Sequence, residues 1–255
     1  MLGVFNRKFW RGKVLIRPGV GIFQGVAGDN VEHRHWAHQL SIGQGNDVDV
    51  MSNGRLHRAA AVFISANTPH QLVPGPVFSI YLDPTSVIAK VMCRRFASHA
   101  PLIMLSDTDI EWLLPDPGKP VSLDFVFDRL SEPGSISDPF SADPRWKTVI
   151  TAIEKGIRDH EEVNRDMLAS LLSLSESRFS HWFREQTGMP LRSYRKWLRL
   201  IYGMERALQG DSLTVAAHEA RFADQAHFSR TFSDAFGVCP SDALAYLSPV
   251  ATHQS

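Results

Sequence analysis

With 255 residues, 44% of them hydrophobic and 21% charged, the chain is long enough for two ordinary domains, each with its own core. Its 27 Lys and Arg balance 27 Asp and Glu, so the molecule as a whole has no bulk attraction for nucleic acid, and a docking face must come from uneven placement of charge. No run approaches about 18 uninterrupted apolar residues. The N-terminus lacks a basic region followed by an apolar run and a cleavage site. Cys93 and Cys239 lie far apart at no metal or redox spacing, which predicts ordinary thiols in a cytoplasmic protein.

From residue 12 to 82, short apolar runs alternate with Gly, Asn and Pro. Lys13-Val14-Leu15-Ile16, Ala61-Val62-Phe63-Ile64 and Val77-Phe78-Ser79-Ile80-Tyr81-Leu82 are examples. Short strands at close, turn-separated intervals predict an all-β barrel or sandwich. Two histidine-rich stretches fall within it, His33-Arg34-His35 with His38, and Thr68-Pro69-His70. Residues 84 to 131 change character: Ser86–Ala97 and Val121–Leu130 have helical patterns, while Pro101–Pro117 has no clear one. Apolar helices there need a partner surface, either their own β-domain or a second protomer.

A turn-rich stretch, Pro133-Gly134-Ser135-Ile136-Ser137-Asp138-Pro139 and then Ser141-Ala142-Asp143-Pro144, reads as a linker. It divides the chain into a domain over 1–132, a linker over 133–145 and a domain over 146–255. Beyond it the period becomes helical. Trp146, Val149, Ile150, Ile153 and Ile157 make one apolar stripe. Asn164, Ser175, Ser212 and Asp224 stand where helices need caps, and Gly188 and Gly237 where helices end. Seven helices result, two short pairs flanking one long connector over Leu191–Leu208.

The two pairs repeat each other. Phe179-Ser180, Phe183 and Gly188 recur at one constant offset as Phe228-Ser229, Phe232 and Gly237. In each copy the phenylalanines are four apart and share a face, so burying them leaves the opposite face for contacts. That face offers Glu176, Ser177, Ser180, His181 and Arg184 in the first copy, and Gln225, Ala226, Ser229 and Arg230 in the second. Arg and Gln suit bidentate contacts to guanine and adenine edges, while Ser and His can donate to bases or phosphates. Between Arg178 and Arg206 lie Arg178, Arg184, Arg192, Arg195, Lys196, Arg199 and Arg206, against only Glu185 and Glu205. Arg195 and Lys196 on the connector are therefore candidate backbone contacts, although a solvated face is the simpler reading of any single one.

Residues 146 to 247 resemble the C-terminal DNA-binding domain of the AraC/XylS family of bacterial transcription regulators. The likeness is strongest over Phe222-Ala-Asp-Gln-Ala-His-Phe-Ser-Arg-Thr-Phe-Ser-Asp-Ala-Phe-Gly-Val-Cys-Pro240 and looser over Phe179–Gly188 and Tyr194 with Leu198-Arg199-Leu200. It implies two helix-turn-helix units on one long helix, binding promoter or operator DNA as a transcription factor. Two departures stand out. Ser173 and Arg221 occupy turn positions where the family usually has glycine. Gly203 sits inside the connector where the family usually has alanine, at a cost of roughly 1 kcal/mol unless close packing requires it.

Residues 12 to 85 resemble the cupin-like effector domain of such regulators. The fold class expected is thus multi-domain: a cupin-like β barrel or sandwich with flanking helices, then an all-α domain with two helix-turn-helix units. Metal-binding cupins carry a carboxylate after the His-x-His pair, whereas this chain has Gln39 and Leu40. Three imidazoles at His33, His35 and His70 could hold zinc or iron, yet the missing carboxylate weighs against that and against a cupin metalloenzyme. A pocket for a small-molecule effector, using His33, His35, Gln39 and His70, is the expectation, with no resident metal or cofactor. A homodimer is expected, with contacts within 84–131 because the apolar helices there need a partner surface, and RNA polymerase is a further expected partner.

Overall fold

The computed structural model describes residues 8–96, 100–114, 121–131 and 144–250. Contacts group the chain into two compact units, Met1–Ile136 with Phe232–Ser255, and Ser137–Thr231. Apart from its last two residues, the stretch read as a linker over 133–145 lies outside the described residues.

The first unit contains β1 (Arg11–Arg17), β2 (Val20–Val26), β3 (His38–Gly43), β4 (Val48–Ser52), β5 (Arg55–Ala59), β6 (Ala61–Ile64), β7 (Gln71–Leu72) and β8 (Pro76–Leu82). They are followed by α1 (Val87–Arg95), β9 (Leu102–Leu105), α2 (Asp107–Ile110) and α3 (Leu123–Ser131), with β10 (Leu247–Pro249) supplied by the far end of the chain. A seven-stranded sheet runs β10-β1-β2-β8-β3-β6-β9 and a three-stranded sheet runs β5-β4-β7. All pairings are antiparallel except β1 with β10.

Register sets the core. Leu15 faces Ile22, Ile22 faces Ile80, and Leu40 faces both Ile80 and Phe63. Because side chains alternate along a strand, these pairs place one apolar row on one sheet face. Met92, Leu113 and Val126 close over that row. Within Pro101–Pro117, patternless in sequence, Leu102–Leu105 forms β9 against β6 and Asp107–Ile110 the single-turn α2, and residues 115–117 lie outside the described residues.

The second unit is helical: α4 (Pro144–Arg158), α5 (Arg165–Leu171), α6 (Glu176–Thr187), α7 (Leu191–Leu208), α8 (Leu213–Glu219) and most of α9 (Gln225–Phe236). The last turn of α9, with α10 (Pro240–Leu244) and β10, counts with the first unit. Each short helix starts on the residue expected to cap it. Asn164, Ser175, Ser212 and Asp224 accept the backbone N–H of Met167, Arg178, Val215 and His227. Gly188 and Gly237 end α6 and α9 at φ 72° and 67°.

Ser173 and Arg221 both adopt the left-handed conformation, at φ 53° and 60°. Leu174 N–H donates to Ala169 and Phe222 N–H to Ala217, so the two turns close alike without glycine. The strain is offset differently. Arg221 donates from Nη1 to the Glu161 carbonyl, whereas Ser173 is exposed. Ser173→Gly should therefore raise unfolding free energy by about 0.5–1 kcal/mol, measured by urea denaturation. Arg221→Gly should bring no such gain, because it gives up the Glu161 bond.

Candidate nucleic-acid interface and histidine cluster

The anchors of α6 are sequestered: Phe179 and Phe183 are fully buried, their rings 5.7 Å apart. Trp146 from α4 and Tyr194 from α7 pack on Phe183 at 5.6 and 5.7 Å. Such an aromatic cluster fixes both the rotation and the depth of α6. Glu176, Ser177, Ser180, His181 and Arg184 consequently face solvent together. Their hydrogen-bonding capacity is not equally free. Glu176 is paired with Arg165 of α5, and the Ser180 hydroxyl donates to the Glu176 carbonyl at 2.8 Å. His181 lies 3.4 Å from Glu185.

In α9, Phe228 is fully buried and packs edge-on against Phe222 at 5.3 Å, while Gln225, Ala226 and Arg230 are exposed and Ser229 half-buried. Thr214 of α8 donates its hydroxyl to Gln225 Oε1 at 2.7 Å, fixing that carboxamide with its NH2 group outward. Neither Arg165 nor Thr214 was legible as a site residue. Each belongs to the first helix of its pair and works by orienting a side chain of the second.

The connector α7 holds the second pair in place. Arg199 donates from Nε to the Ala220 carbonyl at 2.8 Å and lies 4.8 Å above the Phe222 ring. One turn on, Gly203 has no side chain to separate α7 from Phe228 and Ala220. Arg199 is thus a brace rather than an exposed contact, which its half-buried position explains. Along α7, a groove of about 990 Å³ is lined by Ser180, His181 and Arg184 of α6, by Arg192, Arg195, Lys196 and Arg199 of α7, and by Arg165, Asp166 and Glu176. Basic residues dominate it, so it favours a polyanion.

In the first unit the four expected effector residues come together. His33 and His70 form an isolated antiparallel bridge in which each N–H donates to the other's carbonyl at 2.9 Å. Their rings are 4.4 Å apart, and His35 lies 5.0 Å from His70. Gln39 Oε1 lies 2.9 Å from His35 Nε2 and 3.1 Å from His70 Nε2. Behind it, Gln39 Nε2 contacts Ser41 Oγ at 2.7 Å, which in turn contacts Ser79 Oγ at 2.9 Å. Tyr81 and Phe236 ring the cluster, 5.4 and 5.9 Å from His35.

Burial and the neighbouring rings hold these imidazoles neutral. His35 titrates well below its ordinary range through burial and then through His70 and His33. Burial, then His70, lowers His33 to about 4, and burial lowers His70. Burial alone lowers His38 to about 4. His38 points elsewhere: its Nδ1 accepts the Ala66 N–H at 3.0 Å and its ring stacks on Phe63. The sequence grouped His38 with the others by proximity. Strand alternation, which sends His38 and Gln39 to opposite faces, separates them.

Comparison with known proteins agrees with this architecture. Residues 168–245 match a family model described as a helix-turn-helix domain. The transcriptional activator RhaS of Pectobacterium carotovorum is 38% identical over 81 residues, which span 31% of this chain and 29% of that protein. The transcriptional regulator NimR of Escherichia coli is 24% identical over 113 residues, 44% of this chain and 41% of NimR. The stretches shared with these relatives thus cover less than half of their length. The fold as a whole is similar to that of ToxT from Vibrio cholerae, at a TM-score of 0.56 with 12% identity, covering 91% of this chain and 98% of ToxT. A ToxT structure with an unsaturated fatty acid bound gives a TM-score of 0.51 at 14% identity, over 93% of this chain and 100% of that one.

Proposed function

We propose, for a chain that belongs to the AraC/XylS family of DNA-binding transcription regulators, a sequence-specific DNA-binding role in which α6 and α9 enter successive major grooves. The observation that carries the reading is the pairing of buried phenylalanines with an exposed polar face on each of two helices flanking α7. Two such helices held by one connector suit grooves about 34 Å apart on one face of the duplex. Ser177, His181 and Arg184 are the readers of the first helix, with Glu176 and Ser180 engaged locally. Gln225, Ala226, Ser229 and Arg230 form the second reading face. Arg195 and Lys196 contact the phosphate backbone.

Selection of bound duplexes from a random library, repeated at several salt concentrations, tests the role. A two-part consensus and a steep salt dependence are expected; binding without any sequence preference near physiological salt would overturn it. Arg230→Ala should cost about 1–3 kcal/mol and relax preference at one base pair. An equal loss on every sequence would make Arg230 a phosphate contact instead.

The β-rich unit acts in this proposal as a cupin-like, non-enzymatic effector domain, with His33, His35, Gln39 and His70 facing the ligand. Its fold likeness to a protein seen with a fatty acid bound supports ligand control. An effector changes DNA binding only by the difference in its affinity for the competent and incompetent arrangements. Cytoplasmic action as a homodimer, through the helices between residues 84 and 131 and with RNA polymerase as a partner, completes the proposal. No helix among the described residues is long and apolar enough to cross a membrane.

A further inference from the structure

We infer that Thr214 is a positioning residue that commits Gln225 to reading adenine at one base pair, and that Arg165 keeps Glu176 from reading any base. The inference rests on the DNA-binding role proposed above. In both units a side chain in the first turn of the first helix holds the first residue of the second helix, 11 positions on. The two holds differ in chemistry, one an ion pair and the other a neutral hydrogen bond.

Gln225 begins α9 and is exposed, so an unrestrained carboxamide there would turn over freely. Thr214 removes that freedom. It stands in the first turn of α8, and Gly210, four positions back, lies outside the helix. Its hydroxyl is therefore not drawn to a helical carbonyl and donates instead to Gln225 Oε1 at 2.7 Å. That bond uses one of the oxygen's two lone pairs and leaves the second, together with both NH2 hydrogens. An acceptor beside a donor, in fixed order, is the complement of adenine, which offers its N6 donor beside its N7 acceptor in the major groove. Guanine offers acceptors at both places, so one of them would face Oε1. Cytosine offers only its N4 donor and leaves the NH2 group without a partner.

In the first unit Arg165 begins α5, donates from Nε to Glu176 and carries the opposite charge. An ionised carboxylate can only accept, and it repels phosphate. A bare Glu176 at the start of α6 would therefore oppose DNA binding. Both members of the pair line the basic groove with Arg184, Arg192 and Lys196. Without Arg165, the carboxylate would stand in the path of the backbone that those cations attract. Arg165 cancels its charge and fills the acceptor. The first residue of α6 is thereby silent on sequence, while the first residue of α9 is a reader.

Selection of duplexes from a random library by the full-length chain tests both pairs, with the fold of each variant checked by circular dichroism. Gln225→Ala identifies the base pair concerned, as the position where preference disappears, and the wild-type chain is expected to select adenine there. Thr214→Val, close in shape but without the hydroxyl, should cut that preference about tenfold and leave every other position unchanged, while Thr214→Ser retains it. A threonine that merely supported α8 would instead weaken binding to all sequences alike. That result, a wild-type preference for any other base, or no position that responds to Gln225→Ala would overturn the role of Thr214. Arg165→Ala should weaken binding to every duplex about threefold, and adding Glu176→Ala should recover part of the loss. No recovery would overturn the role of Arg165. A wild-type two-part consensus that Thr214→Val leaves intact sinks this inference alone, whereas absence of any consensus sinks the regulatory role with it.

Discussion

Gly203→Ala should destabilise the helical unit by about 1–3 kcal/mol, the ordinary cost of forcing an extra methyl into a packed core. Helix propensity alone points the other way, favouring alanine by about 1 kcal/mol inside a helix. Packing wins because the added Cβ would stand 2.6 Å from Phe228 Cε2 and 3.1 Å from Ala220 Cβ. Neither neighbour can withdraw easily. The Phe228 ring is fully buried against Phe222, and the Ala220 carbonyl is held by Arg199. Because Phe228 anchors α9, the same substitution should weaken DNA binding beyond the loss of folded protein. Urea denaturation combined with a gel-shift titration would measure both. Pairing it with Phe228→Leu should recover part of the loss, a coupling that two independent sites would not show. A Gly203→Ala protein as stable as the parent would refute the close approach.

Acidification should destabilise the first unit well before its carboxylates protonate. An unfolded histidine titrates near 6.5, whereas His38 in the folded chain is lowered to about 4 by burial. Between those values the unfolded chain binds a proton that the folded chain refuses, so unfolding free energy rises with pH across that window. The contribution is complete above about 6.5 and is lost as pH falls toward 4. At 1.36 kcal/mol per unit, His38 alone supplies at most about 3 kcal/mol. The local structure acts in the same direction: His38 Nδ1 accepts the Ala66 N–H, and a proton there would set two donors against each other. Burial shifts the histidines at 33, 35 and 70 in the same direction. Urea midpoints at pH 7 and pH 4.5 should differ accordingly, and His38→Gln should flatten the dependence. A midpoint independent of pH across this range would contradict the buried neutral state.

The repeat in α6 and α9 was legible because helix faces follow from spacing alone. Residues four apart share a face, and serine, asparagine or aspartate at the start and glycine at the end have local causes. The turns at Ser173 and Arg221 were legible only as positions where the family usually has glycine. The structure takes the positive φ at both, and stabilises Arg221 through Glu161, distant in sequence. Gly203 looked like a weak point in a helix until Phe228 and Ala220 were seen against it.

In the β-rich half, the histidines could be singled out as a group but not sorted. Their roles depend on which strand face each occupies and on the bridge between His33 and His70, a pairing no local pattern encodes. Gln39 read as a missing carboxylate, yet it occupies the centre of the cluster. The addition of β10 beside β1 and the grouping of Phe232–Ser255 with the first unit had no sequence signal either. Parallel pairing joins residues from opposite ends of the chain and leaves no periodic trace.

By itself, then, the sequence determined the local matters: where helices begin and end, which faces are apolar, and which family the C-terminal signature resembles. Tertiary structure decided which polar side chains remain free, since Arg165, Thr214 and Glu161 reach their partners across turns or between helices. It also decided that three histidines and Gln39 form one cluster while His38 points elsewhere. Secondary structure follows from interactions within a few residues. A binding site is assembled by chain reversals and strand registers that bring distant residues into contact, and only the folded chain fixes those.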